Sequence, residues 1–266
     1  MSGNYYDRQL NEVYFREIEL FANCAEEDAP TTGLMAKVEA RIPPKLVDSM
    51  DEAFYLAFQM LFEKGTRLLR LTFPEKRLRG ERFIREYYLK QDPNEERILS
   101  FHNSARTGGI VNTVLATVEG FVMGLFGMGL PDIPVLMSLL LRTVYTTALR
   151  YGYRFDNPRE RYYILLVLSA ALAKDSERKA YSDRADQVGH ALDMDEPLRF
   201  DLEEQMRETS KALARSMLVV KFIQTTSIIG VVGGVQNFSA SRKVATMANL
   251  KYQKRFLLRK KAEAQI

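Results

Sequence analysis

The sequence predicts an all-α fold: a single multi-helix domain with two glycine/small-residue-striped helices packed at its centre. Three observations point there. Apolar residues recur at the helical period along most of the chain, prolines stand where helices would begin, and no stretch alternates apolar and polar residues as a strand would. With 266 residues, 46% of them hydrophobic and 27% charged, the chain can bury a sizeable core.

The elements follow in order. Residues 4–28 make a tyrosine-rich amphipathic helix, so 1–30 is read as an N-terminal helix ahead of a helical domain over 31–266. Pro44 suits the first turn of a long helix whose apolar residues at 46, 47, 50, 54, 57, 58 and 61 keep one face. EKRLRGERFIREYYLKQ, residues 75–91, is a short basic amphipathic segment. QDPNEE turns into a helix over 94–129, PDIP interrupts, and a further helix covers 133–151. Asn157 is the expected N-cap and Pro158 the first residue of the next helix. Residues 174–192 are a charged helix or loop, and Pro197 is expected to start a helical region running to a basic C-terminal helix.

Two runs of small residues stand out. Gly109, Thr113, Ala116, Gly120, Gly124 and Gly127 lie along one helix face, as do Ser227, Gly230, Gly234, Asn237, Ser241, Ala245 and Ala248. The five glycines inside these stripes (120, 124, 127, 230 and 234) cost on the order of 3–5 kcal/mol together relative to alanine. Close backbone approach is the usual return for such a cost. Two helices crossing small face to small face are therefore expected; the alternative is that each stripe meets a different bulky helix.

Charge is unevenly placed although the net value is only +4. Residues 1–60 hold eleven acids against five bases, whereas from Ser239 onward there are eight bases against Glu263 alone. Such a tail favours an anionic surface or an acidic neighbour, with Lys251, Lys254, Arg255, Arg259, Lys260 and Lys261 as the candidate contacts. A membrane span is not expected: Glu119 divides one apolar run, and Gln224, Thr225, Thr226, Ser227, Gln236 and Asn237 dilute the other. Cys24 alone cannot form an internal disulfide, and the first residues show no secretory leader. The expected location is cytoplasmic, with peripheral contact on the cytoplasmic face of the membrane as a further expectation.

Chemistry-bearing motifs are few. GxSxG, GxxxxGK[ST] and HExxH do not occur, so no catalytic residue, cofactor or metal is expected. His102 and His190 are read as ordinary helix residues, and no nucleic-acid recognition motif supports the basic tail. Asp132, in PDIP, suits a helix N-cap. Arg142 lies on an otherwise apolar helix and needs a carboxylate, for which Glu119 and Asp132 are candidates, or an anionic ligand.

Three blocks taken together resemble the EcsC family: IPPKLVDSMDEAFYLAFQMLFEKGTRLL, EGFVMGLFGMGLPDIPVLMSLLLRTVYTTALRYGY and SIIGVVGGVQNFSASRKVATMANLKYQKR. They match the family's early helix, its glycine-rich segment with Asp-x-Pro turn and helix arginine, and its closing small-residue helix. One departure is Thr226 and Ser227, where a proline before Gly230 is expected. By this resemblance Asp132, Arg142, Gly230, Gly234 and Asn237 occupy marked positions, which makes Asn237, with Asp132, Arg142 and Glu119, a ligand-binding candidate. The resemblance implies an accessory, non-enzymatic protein acting with a membrane transport, secretion or envelope process, with a membrane transporter or an anionic membrane surface as partner. The alternative is an enzyme or lipid/small-molecule-binding protein with a pocket at the Gly-rich Asp-x-Pro turn.

Overall fold

Local start signals set the helical frame. A computed structural model of the chain describes residues 3–28, 42–106, 132–173, 175–226 and 233–264, and every regular element among them is a helix. Helix α1 is Gly3–Asp28. Helix α2 is Pro44–Met60, with proline in its first turn as expected. It continues through a π-helical turn at Leu61–Gly65 and an α turn at Thr66–Leu69, then closes in a 3-10 turn at Arg70–Thr72. There follow α3 (Glu75–Gln91), α4 (Glu95–Arg106), α5 (Asp132–Tyr151), α6 (Pro158–Leu172), α7 (Asp175–Asp193), α8 (Leu202–Thr226) and α9 (Gly233–Ala264).

Asn157 caps α6 as its side chain predicts, accepting from the Glu160 N–H at 2.8 Å, and Pro158 takes the first turn. The charged stretch after residue 174 is helix rather than loop. Pro197 does not start a helix. Asp201 does, because its Oδ1 accepts from the N–H groups of both Glu203 and Glu204 at 2.9 and 3.0 Å. The residues before it form a connector in which Asp195 takes a positive φ of 51°.

The core is built around α6. Its residues from Tyr162 to Leu172 are buried on every side, which is how an all-round apolar helix behaves. It packs against α7, α8 and α9, while α9 also packs against α1 and α5. Helix α1 is joined to the same apolar cluster through Tyr6, Leu10 and Val13. Of the two small-residue stripes, Gly109 through Gly127 and Ser227 through Gly230 lie outside the described residues, and the side chains of Glu119, Asp132 and Asn237 do too. The expected crossing of the stripes falls there. Ala248, at the described end of the second stripe, is fully buried on α9.

The basic helix α9 departs most from expectation. Lys251, Lys254, Arg255 and Lys260 are buried, not presented to an outer surface. Lys251, 0% exposed, donates through Nζ to Glu17 Oε1 at 2.5 Å, Asp186 Oδ1 at 2.7 Å and the Ser182 carbonyl at 3.0 Å. Lys254 shares Asp186 and Glu17 with it. Arg255 meets Asp193 through Nε and Nη2, at 3.0 and 2.7 Å, and Glu160 through Nη1 at 2.8 Å. Its guanidinium also lies over the rings of Tyr153 and Tyr163. Gly189 makes room for this packing: a Cβ there would stand 2.9 Å from Arg255 Cδ and 3.0 Å from Tyr163. Lys260 bonds Glu86 at 2.6 Å, and Lys261 bonds Asp7 at 2.5 Å. Arg259 is half-buried over Tyr153 and reaches the Tyr151 carbonyl.

The acidic neighbour allowed by the charge pattern is thus the chain itself. A buried cation without a partner is strongly unfavourable, so acids from α1, α3, α6 and α7 converge on α9. With those partners, four of the six tail cations are withdrawn from any anionic surface.

Burial works against the Glu17 charge, but the Lys251 ammonium and hydrogen bonds from Lys251 and Ser182 outweigh it and hold the carboxyl below its usual range. A carboxyl depressed in the folded state contributes stability above its unfolded pKa, and that contribution is lost as pH falls through the folded pKa. Glu17→Gln should therefore cost about 3 kcal/mol at neutral pH and weaken the loss of stability on acidification. Urea unfolding at neutral and acid pH measures both.

Candidate functional site

Arg142 is half-buried on α5 and finds a backbone partner. Its Nε and Nη2 donate to the Thr72 carbonyl at 3.3 and 3.2 Å. Among the described residues no carboxylate lies within ion-pair distance of it, and burial lowers its pKa. The structure therefore gives Arg142 a role in tying α5 to the end of α2. Two more arginines are near: Arg150 donates to the Ala105 carbonyl at 3.2 Å, and Arg85 lies over the Phe101 ring. Burial, and then the charge of Arg85, lower the pKa of Arg150.

Helix α3 leaves most of its large apolar side chains in solvent. Only Leu78 and Leu89 are buried, while Phe83, Ile84 and Tyr87 are 65%, 56% and 52% exposed. Positions 83, 84 and 87 share one helical face. Gly80 belongs to that face, and a Cβ there would meet nothing within 4 Å. Beside Leu78 and Leu89, the side toward the protein also carries charge. Glu86 bonds Arg82 and Lys260 there, and Arg82 runs close under Gly152, whose φ is +87°. Lys76, Arg77, Arg79 and Lys90 are exposed around the apolar centre. Arg77 and Arg79 pair with Glu81 and Glu75 within the helix, whereas Lys76 and Lys90 have no ion-pair partner among the described residues. A second exposed apolar pair, Phe15 and Ile18 on α1, is flanked by the acids Glu12 and Glu19.

A polar groove of about 500 Å³ opens between α1, α4 and α9. At its base His102 is 6% exposed, packed among Phe101, Tyr151 and Phe256, and neither ring nitrogen has a hydrogen-bond partner. A buried donor or acceptor left unpaired costs about 1–3 kcal/mol. Arg16 bridges the groove to Gln253 at 2.6 Å, and Asn249 leaves its Oδ1 unpartnered. No group of three metal-ligating side chains occurs among the described residues. Likewise, no helix among them is long and apolar enough to cross a membrane.

Nothing in its sequence context singles out His102, because a lone histidine in SFHNSAR looks like any helix residue. The one usable hint is its place beside Phe101, which fixes it near a buried face. For α3 the apolar spacing was visible, but not the direction in which it points.

Burial, and then the nearby Arg16 charge, push His102 down to about 3 from 6.5. A histidine depressed in the folded state is neutral there while the unfolded chain takes up the proton. Stability should therefore fall as pH drops from about 6.5 toward about 3, at up to about 1.4 kcal/mol per pH unit from this group. In His102→Phe that component disappears and the remaining acid dependence belongs to carboxylates; unfolding free energy against pH reads the difference.

The comparison with protein families agrees with the three sequence blocks and the all-helical architecture. The profile of the EcsC protein family matches residues 14–257, from within α1 to within α9. No curated protein and no solved structure matches this chain. The matched span covers most of the 266 residues, and the chain belongs to the EcsC protein family.

Proposed function

We propose that this EcsC-family protein is a non-enzymatic accessory of a membrane transport or envelope process, held peripherally on an anionic membrane surface by the outward face of α3. The observation that carries the reading is the exposed apolar face of that helix. Phe83, Ile84 and Tyr87 stand in solvent, while only Leu78 and Leu89 are buried and the half-buried Arg82 and Glu86 lie on the inner side. An exposed apolar cluster rimmed by cations suits the boundary between lipid headgroups and acyl chains. Phe83, Ile84 and Tyr87 would enter the interface, and Lys76 and Lys90 would meet anionic headgroups. Each unpaired cation near such a surface contributes about 1 kcal/mol.

Charge chooses between the exposed patches. The α1 pair Phe15 and Ile18 is flanked by acids and would be repelled by the same surface. The C-terminal cations are engaged internally, so the membrane contact expected of the tail is better supported at α3. The alternative pocket at the Asp-x-Pro turn lies at residues whose surroundings fall outside the described part of the chain.

Co-sedimentation with phosphatidylglycerol-containing vesicles tests this. The protein should pellet with them in a salt-sensitive manner and not with purely phosphatidylcholine vesicles. Phe83→Ser combined with Tyr87→Ser should abolish pelleting, and Lys76→Glu with Lys90→Glu should weaken it at least about thirtyfold, with thermal unfolding unchanged because all four residues are exposed. Undiminished pelleting of both variants would overturn the reading.

A further inference from the structure

No residue of α3 lines the groove between α1, α4 and α9, and its lining is not explained by a membrane role. Three features define what it would accept. First, the groove is lined by His102, a nine-tenths buried imidazole that in its neutral form carries one donor and one acceptor, both without a hydrogen-bond partner. Second, opposite charges stand on separate elements: Glu19 on α1 and Arg242 on α9 are both exposed, both line the groove, and neither has an ion-pair partner among the described residues. Third, the charged lining is balanced, because Arg16 and Arg242 are matched by Glu12 and Glu19, and Arg16 already leans toward Glu12 at 3.9 Å.

These features exclude most ligand classes. A simple anion meets as many acids as bases. A divalent cation finds no set of three ligating side chains among the described residues. An apolar molecule would leave the imidazole and the Asn249 oxygen without partners. What remains is a small polar molecule carrying both charges. We propose that the groove binds a small zwitterion, an ammonium group combined with a carboxylate or phosphate, with Glu19 facing the cationic end, Arg242 the anionic end and His102 hydrogen-bonding between them. The volume of about 500 Å³ is in the range of small-ligand sites. A free amino acid and a phosphoethanolamine group share this chemistry.

Isothermal titration of the full-length protein distinguishes the two sources, with a panel of free L-amino acids in one arm and O-phosphoethanolamine in the other. Inorganic phosphate and putrescine, each bearing one sign of charge, are the controls. At least one zwitterion should bind and raise the melting temperature, while the controls should not. Arg242→Ala, an exposed substitution that leaves the fold intact, should weaken binding about tenfold or more, and His102→Phe should abolish it. The proposal is overturned if no zwitterion binds at millimolar concentration, if a control binds equally well, or if Arg242→Ala binds like the parent protein. Vesicle pelleting is independent of these outcomes, so failure here leaves the α3 reading standing and failure there leaves this one standing.

Discussion

Burying the cations of α9 is the requirement on which the rest of the architecture depends. Lys251, Lys254, Arg255 and Lys260 cannot leave water alone, so each neighbouring helix must bring a carboxylate to a fixed place. Glu17 fixes the rotation of α1, Asp186 and Asp193 that of α7, Glu160 that of α6, and Glu86 that of α3. Apolar packing would tolerate small rotations of these helices; a two-pronged contact such as Arg255 with Asp193 does not. The ion pairs act more as a register for helix assembly than as a source of net stability.

That register has consequences at the surface. Bringing Glu86 and Arg82 inward turns α3 so that Phe83, Ile84 and Tyr87 point out, which gives the patch assigned to the membrane. Docking α1 onto α9 through Glu17 also makes a wall of the polar groove, with His102 of α4 at its base. Both functional proposals therefore rest on faces that the buried charges orient.

Local signals in the sequence translated well into structure. Pro44, Asn157 and Pro158 start helices because their effects act within one turn and need no tertiary context. Pro197 misled, since Asp201 supplies the stronger cap a few residues later. The separation of an acidic first quarter from a basic end was legible, but composition cannot say that the two meet. Glu17 and Lys251 are 234 residues apart, and their pairing arises only when α1 crosses α9. Likewise the period of α3 reveals a face without revealing which way it turns. His102 was invisible as a site because its significance lies in what fails to contact it.

Amide hydrogen exchange along residues 251–260 tests the central claim most directly. If the cations lock α9 into the core, those amides exchange only through the same global opening that exposes α6, and their protection matches that of residues 162–172. Exchange in the last turns of α9 as fast as in a frayed terminal helix, with α6 still protected, would contradict it.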